Sequence, residues 1–346
     1  MFNFIRKLFK TEENYNEHAT GWLGDIPDPE KAYKAEELYS SFDAVVWTEK
    51  KPEEWKRFLP IRNQNGTSAC VGYAVATMLG AENYLEESKF INLSPRSIYA
   101  RGYQPEGGMF YEKALSIGSE NGATLESLLP SELKKEEDIR KLDDEKESDR
   151  IIGKIYKGGK FIYLPKDIDS VASFIQKGKA IAIGTRFNSG GFNNGEIVLA
   201  ENGTYGHAIT GIDFTLWKGE KAIVFQNSWG DKWGFGGLGI ITETQFKSGG
   251  YVLSAYYEEL KNEIKTGIKP RLKLYSTMKV GDSNGEVIKL QIMLQYFGFF
   301  PSDIKCTGYY GGITRQAVKD YQLKNGLAVS GVADAAFINN INKSFI

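Results

Sequence analysis

The run of apolar and polar positions divides the chain into a helix-patterned first half, a strand-patterned middle and a helical end. Residues 71–85 are small and apolar without a strong breaker and follow a turn-rich loop at 63–70. They predict a buried helix with Cys70 in its first turn. Ser94 followed by Pro95 marks a second helix start. Residues 110–117 predict a third, just beyond a loop at Gly107 and Gly108. Residues 131–150 alternate Lys, Glu and Asp and predict a solvated helix face or surface insert without chemistry of its own. After residue 151 short strands are predicted at 161–164, 180–183, 222–225 and 239–241, with one helix at 168–176 between them. A helix-rich half ahead of a sheet-rich half implies an α+β domain with a cleft between two lobes. Residues 258–271 are charged, aperiodic and interrupted by Gly267 and Pro270, so they read as a linker. Beyond them Val287, Leu290 and Leu294 share one helix face, and Ala317, Val318 and Tyr321 another. Some 70 residues of this kind make a small all-α module. The expected division is an N-terminal arm (1–20), a main domain (21–260), a linker (261–275) and a C-terminal domain (276–346).

Composition narrows the class only modestly. The 346 residues are 41% hydrophobic and 25% charged, with a net charge of −1, which is globular and gives no electrostatic reason to expect nucleic acid. No stretch is long and apolar enough to predict a transmembrane segment. The first ten residues mix bases with apolar side chains and lack the form of a secretory signal; they suit a short helix or an amphipathic contact. The two cysteines, Cys70 and Cys306, fall in different predicted domains, so a disulfide between them is not expected and folding in a reducing cytoplasm is.

Cys70 changes the picture most. A thiol at a helix N-terminus is placed to ionise, and acyl transfer through it needs an imidazole and donors for a tetrahedral oxyanion. The chain has two histidines. His18 lies in the polar arm, whereas His207 sits between a glycine-rich loop and an apolar strand. Asn227 follows within a strand-end segment and can orient an imidazole, Trp229 can shield that bond from water, and Gln64 can donate beside the Cys70 N–H. Taken alone, Cys70 also fits an inert, well-packed helix cysteine. The sequence offers no paired carboxylates at a credible spacing, no phosphate loop and no multi-histidine metal cluster, so neither metal nor cofactor is expected.

Gln64 with Cys70, then Gly206-His207-Ala208, then Asn227-Ser228-Trp229-Gly230, in that order, resemble the three signature blocks of papain-family cysteine peptidases. The resemblance spans roughly residues 21–259 and implies a two-lobed fold, with Cys70 as nucleophile, His207 as base, Asn227 as its orienting partner and Gln64 at the oxyanion. It further implies that Gly107 and Gly108 match the glycine pair along which an extended substrate lies, with Trp229 beside them. Three positions depart from the pattern. Val71 stands where the family has Trp, and Thr67 and Pro105 occupy the positions of the two halves of a disulfide. Residues 21–29 resemble the start of bacterial and viral members, so no separate prodomain is expected; self-inhibition by the N-terminal arm is the alternative.

Residues 276–346 resemble the three-helix peptidoglycan-binding domain of wall hydrolases through Val280-Gly281-Asp282, the glycine turns near 308–312 and 326–331, and a helix starting at Thr314; Gly312 replaces the usual Pro. The combined resemblance implies a thiol hydrolase cutting amide bonds, with the bacterial cell wall as partner of 276–346. The substrate is either polypeptide or peptidoglycan stem peptide. A phage lytic enzyme and a virion component retaining a peptidase scaffold are the alternatives. Synthesis in the cytoplasm, with release to the envelope by lysis or assembly into a virion, is the matching expectation for location.

Overall fold

The computed structural model describes residues 20–25, 44–82, 90–133, 135–164, 166–193, 195–256, 272–302, 304, 306 and 308–344. The amphipathic decapeptide, His18 and the linker at 258–271 lie outside them.

The first lobe is built on helix α1 (Cys70–Glu82), whose residues are buried from Cys70 through Ala81. Such a helix is apolar on all sides and takes the centre of its lobe. Around it lie α2 (Pro95–Tyr99), capped by the Ser94 side chain with Pro95 in the first turn, and α3 (Tyr111–Glu120). The charged stretch 131–150 forms α4 (Glu136–Ile139) and leads into α5 (Glu147–Gly153). Most of this stretch is exposed or half-buried, as its alternating charge suggested, but it also carries buried charge. The Glu145 side chain is 1% exposed and pairs with Arg101 at 2.5 Å, and Arg96 reaches Asp144 at 2.7 Å. Buried charges persist only when paired, and here the partners come from α2 and the turn after it, a match that periodicity within one segment does not reveal.

The second lobe is an eight-stranded sheet: β1 (Phe161–Tyr163), β2 (Ile181–Phe187), β3 (Phe192–Asn193), β4 (Glu196–Ile197), β5 (Tyr205–Trp217), β6 (Glu220–Gln226), β7 (Leu238–Thr242) and β8 (Tyr251–Tyr256). Their order is β1-β8-β2-β5-β6-β7-β4-β3, antiparallel except between β4 and β7. The helix predicted at 168–176 is α6 (Ile168–Gln176), and α7 (Glu243–Ser248) joins β7 to β8.

Alternation along the strands serves two cores. Ile181, Ile183, Ile209, Ile223, Phe225 and Ile241 point into a core with α6. Ala182, Ala208, Ala222 and Val224 face the core that contains α1. Small alanines on that face let α1 approach the sheet closely, and the Thr210 hydroxyl donates to the Ala74 carbonyl at 3.2 Å. A bulge between Gly211 and Asp213 switches parity, so Ile212 stays with the α1 core while Phe214, two residues on, joins the α6 core. The face-on packing of α1 on the sheet brings the start of β5, with His207 and Ala208, beside the start of α1.

The C-terminal domain holds α8 (Gly285–Tyr296), α9 (Gly312–Lys324) and α10 (Ala335–Lys343). Helix α9 starts two residues before the predicted Thr314. Buried amides staple its loops: Gln291 donates to the Tyr309 carbonyl and the Thr314 hydroxyl, both at 2.8 Å, and accepts from the Gly308 N–H at 2.9 Å. Gly285 abuts the Leu128 side chain of the first lobe, so the two domains touch there. Among the described residues, no helix is long and apolar enough to cross a membrane.

Candidate active site

Cys70 opens α1, and residues 63–69 lead into it through a loop fixed mainly by its own side chains. The Gln64 carbonyl accepts from the Thr67 N–H and hydroxyl, and the Gln64 amide nitrogen donates to the Thr67 carbonyl at 2.5 Å. The loop is stitched directly to the segment carrying Asn227. Ser228 donates its hydroxyl to Gln64 Oε1 at 2.6 Å, and the Gln64 N–H donates to the Ser228 carbonyl at 2.8 Å. Asn63 also bridges to Trp229.

His207 lies near the start of β5, fully buried, with Nε2 2.8 Å from Asn227 Oδ1. The same oxygen accepts from the Ser228 N–H at 2.8 Å, so the amide oxygen faces the ring and its own chain together. Trp229 stacks on the imidazole with centroids 4.4 Å apart and an interplanar angle of 27°, and Phe192 meets it edge-on at 5.2 Å. The stack excludes water from the His207–Asn227 bond, the role expected of Trp229. Because Ala208 directs its N–H at the Cys70 sulfur, the residue after His207 and the thiol are adjacent.

The cleft between the lobes contains the chain's own residues 21–25. The Trp22 N–H donates to the Gly206 carbonyl at 3.2 Å on one wall. On the other wall Met109 donates to the Gly21 carbonyl at 2.8 Å and accepts from the Leu23 N–H at 3.3 Å. The Met109 backbone therefore makes the two wall bonds, while Gly108 gives clearance: a Cβ there would lie 2.5 Å from the Gly21 oxygen. Similarly, a Cβ on Gly206 would lie 2.1 Å from the Trp22 oxygen, and one on Gly184 2.4 Å from the Trp22 ring. Trp22 is 5% exposed, with Arg186 over its ring at 5.3 Å. The Asp25 carboxylate accepts from the Tyr111 and Glu112 N–H groups, 3.0 and 2.9 Å away, so it caps the free first turn of α3. It also accepts from the Trp22 indole at 2.7 Å.

With this segment in place Cys70 is 0% exposed. Burial pushes its thiol up to about 12, against the opposing pull of N–H groups from Ala208, Gly21, Val71 and Trp22. The helix N-terminus favours a thiolate, but desolvation outweighs it here, so the sulfur carries its proton at neutral pH. Two of the four N–H groups at the sulfur belong to the segment itself. It thus presents amide hydrogens where an attackable carbonyl would have to sit.

All four predicted catalytic positions, Gln64, Cys70, His207 and Asn227, fall in one connected region, and Gly107, Gly108 and Trp229 border it. Met109, Asp25 and Trp22 were not singled out by sequence. Their roles depend on backbone atoms and on a contact across the cleft, neither of which leaves a motif.

A model of the papain family of cysteine proteases matches residues 44–257, more than half the chain, and a model of a peptidoglycan binding domain matches residues 283–340. Residues 21–25 lie ahead of the first match. Mexicain from Jacaratia mexicana is 24% identical over 196 residues, covering 56% of this chain and 84% of mexicain. The fold is similar to that of xylellain, a cysteine protease from Xylella fastidiosa, with a TM-score of 0.55 and 14% identity over 72% of this chain and 100% of that one. It is also similar to the Amb a 11 cysteine protease of ragweed pollen in its proform, with a TM-score of 0.56 and 16% identity over 71% of this chain and 78% of that one.

Proposed function

This chain belongs to the papain family of cysteine proteases and carries a peptidoglycan-binding domain, and from that premise we propose that it cuts peptide bonds through Cys70, His207 and Asn227 at the bacterial cell wall. The observation that carries the mechanism is the His207–Asn227 bond of 2.8 Å beneath Trp229, with the next residue's N–H at the Cys70 sulfur. Asn227 fixes the ring through Nε2, which commits Nδ1 to the proton of the thiol. The thiolate attacks the carbonyl carbon, and the Cys70 N–H and Gln64 amide hold the oxyanion. His207 then protonates the leaving amine, and water attacks the acyl-enzyme to release the acid.

In this reading the enzyme as folded is latent. Residues 21–25 must leave the cleft before a substrate carbonyl can reach the sulfur, and their departure also removes the burial that keeps the thiol protonated. The C-terminal domain raises the local concentration of wall substrate by tethering. Peptidoglycan stem or cross-bridge peptides are the favoured substrate, proteins near the envelope the second.

The test compares full-length protein, Trp22→Ala and Trp22→Ala/Cys70→Ala on purified walls and on casein. Cys70-dependent release of wall peptides with little casein hydrolysis supports the wall reading, and the reverse result selects protein substrates. Absence of Cys70-dependent hydrolysis of either substrate overturns the mechanism.

A further inference from the structure

We propose that Glu136 and Arg140, from the charged stretch expected to be inert, form a positioning clasp that ties the nucleophile loop to the substrate-pairing turn at 105–109 on the same lobe. The site where they act is where the resemblance leads one to expect a disulfide, between Thr67 and Pro105, and neither residue is a cysteine. The Ser68 N–H, one residue past Thr67, donates to Glu136 Oε2 at 2.7 Å. Arg140 Nη1 donates to the Pro105 carbonyl at 3.1 Å. The two side chains pair with each other at 3.0 Å. A cation and an anion thus span the gap that a covalent bond would close.

The clasp reaches further. The Tyr99 hydroxyl donates to Glu136 Oε1 in a short bond and accepts from the Gly108 N–H at 3.1 Å. One carboxylate therefore holds the loop leading to Cys70 and, through Tyr99, the turn next to Met109. The first of these sets the Cys70 N–H and Gln64, and the second sets the backbone that pairs with an extended chain. Gly107 lets the parts close up: a Cβ there would stand 3.1 Å from the Ser68 hydroxyl and 3.3 Å from Arg140 Nη2. Arg140 also lies over the Tyr103 ring at 4.8 Å, which limits its freedom. The side chains of the pair are partly buried, at 21% and 30% exposure, and Glu136 also accepts from the Ser68 N–H and the Tyr99 hydroxyl, so its removal costs global stability as well as local order. Local order at Ser68 and Gly108, and catalysis, are the properties that distinguish the clasp from a general stabilising pair.

The experiment uses the full chain with Glu136→Ala or Arg140→Met, and Glu145→Gln as a control from the same stretch. Hydrogen exchange at the Ser68 and Gly108 amides is expected to speed up about tenfold in Glu136→Ala, beyond what its change in melting temperature produces at other amides of the lobe. Glu145→Gln is expected to lower the melting temperature and leave those two amides unchanged. In the Trp22→Ala background, Glu136→Ala is expected to lower kcat/KM by about tenfold or more, through a lower kcat and a higher KM together. Glu136→Gln, which keeps an acceptor without the charge, should fall between the two. Unchanged exchange at Ser68 and Gly108 overturns the clasp whatever the activity does. Faster exchange with unchanged kcat/KM overturns its positioning role. A loss of Cys70-dependent turnover in every background, including Trp22→Ala alone, refutes instead the mechanism under Proposed function; the exchange result then decides the clasp separately.

Discussion

Replacing Trp22 by Ala should convert the covered nucleophile into an accessible one. The indole is 5% exposed and rests where Gly184 leaves space for it. Burying an aromatic ring of roughly 200 Å² contributes about 5 kcal/mol at ~25 cal/mol per Å². Truncating such a ring to Ala typically costs about 3–5 kcal/mol. The substitution also leaves Asp25 without its indole donor, although its two bonds to α3 remain. Taking about 3 kcal/mol as the loss, the ratio of uncovered to covered molecules rises on the order of 100-fold. Alkylation of Cys70 by an epoxide directed at thiol peptidases proceeds through the uncovered state, so its rate should rise by a similar factor until that state dominates. The assay is the time course of the mass increment on the Cys70 peptide, with Trp22→Phe expected between the two. Rates within about threefold of each other in wild type and Trp22→Ala, both abolished by Cys70→Ala, would show that the segment does not guard the thiol.

Three further outcomes follow from the geometry. Burial raises the Cys70 thiol from 9.0 to about 12, so the covered state holds its proton more tightly than the uncovered one. Its advantage is complete only below the uncovered thiol's own titration and is lost as pH rises towards 12, so wild-type alkylation should climb towards that upper limit while Trp22→Ala reacts at lower pH; coincident pH profiles would refute this. Asn227→Ala should reduce kcat on the order of 100-fold with little change in KM, because the His207 ring loses the acceptor 2.8 Å away that fixes it, and an unchanged kcat would exclude that role. Gln291→Ala leaves the buried Gly308 N–H without its acceptor, while the Tyr309 carbonyl keeps the Gly311 N–H at 3.1 Å, costing about 1–3 kcal/mol within the C-terminal domain. Pelleting with walls should weaken while hydrolysis of a small soluble peptide persists, and parallel loss of both would tie the two domains into one folding unit.

Much of the site was legible because its chemistry requires particular residue types. A thiol at a helix start, a histidine at a strand start and an amide after the next strand are rare enough to be read in order, and His207 and Asn227 are found bonded. Helices α1, α2 and α6 were legible for equally local reasons: an unbroken apolar run, a Ser-Pro start and a compact amphipathic segment. Strand β8 and the full length of β5 were not, because a centrally buried strand has no alternation to read, and β5 also changes parity at its bulge. The buried charges of the charged stretch escaped notice for a related reason. Glu136 and Glu145 look solvated until α2 and its following turn supply Tyr99 and Arg101 from far along the sequence. The occupied cleft was the least legible feature. Residues 21–25 are held mostly through backbone atoms and through glycines on the walls, and spacing does not encode such contacts.

The central claim is that Cys70 is the nucleophile and that His207 and Asn227 activate it. It is tested most directly by mass spectrometry of full-length Trp22→Ala after reaction with the epoxide at neutral pH. The account predicts a single adduct on the peptide containing Cys70, none on Cys306, and strongly slowed labelling when His207 is changed to Ala. Labelling of Cys306 alone, or Cys70 labelling that proceeds equally fast without His207, would contradict it.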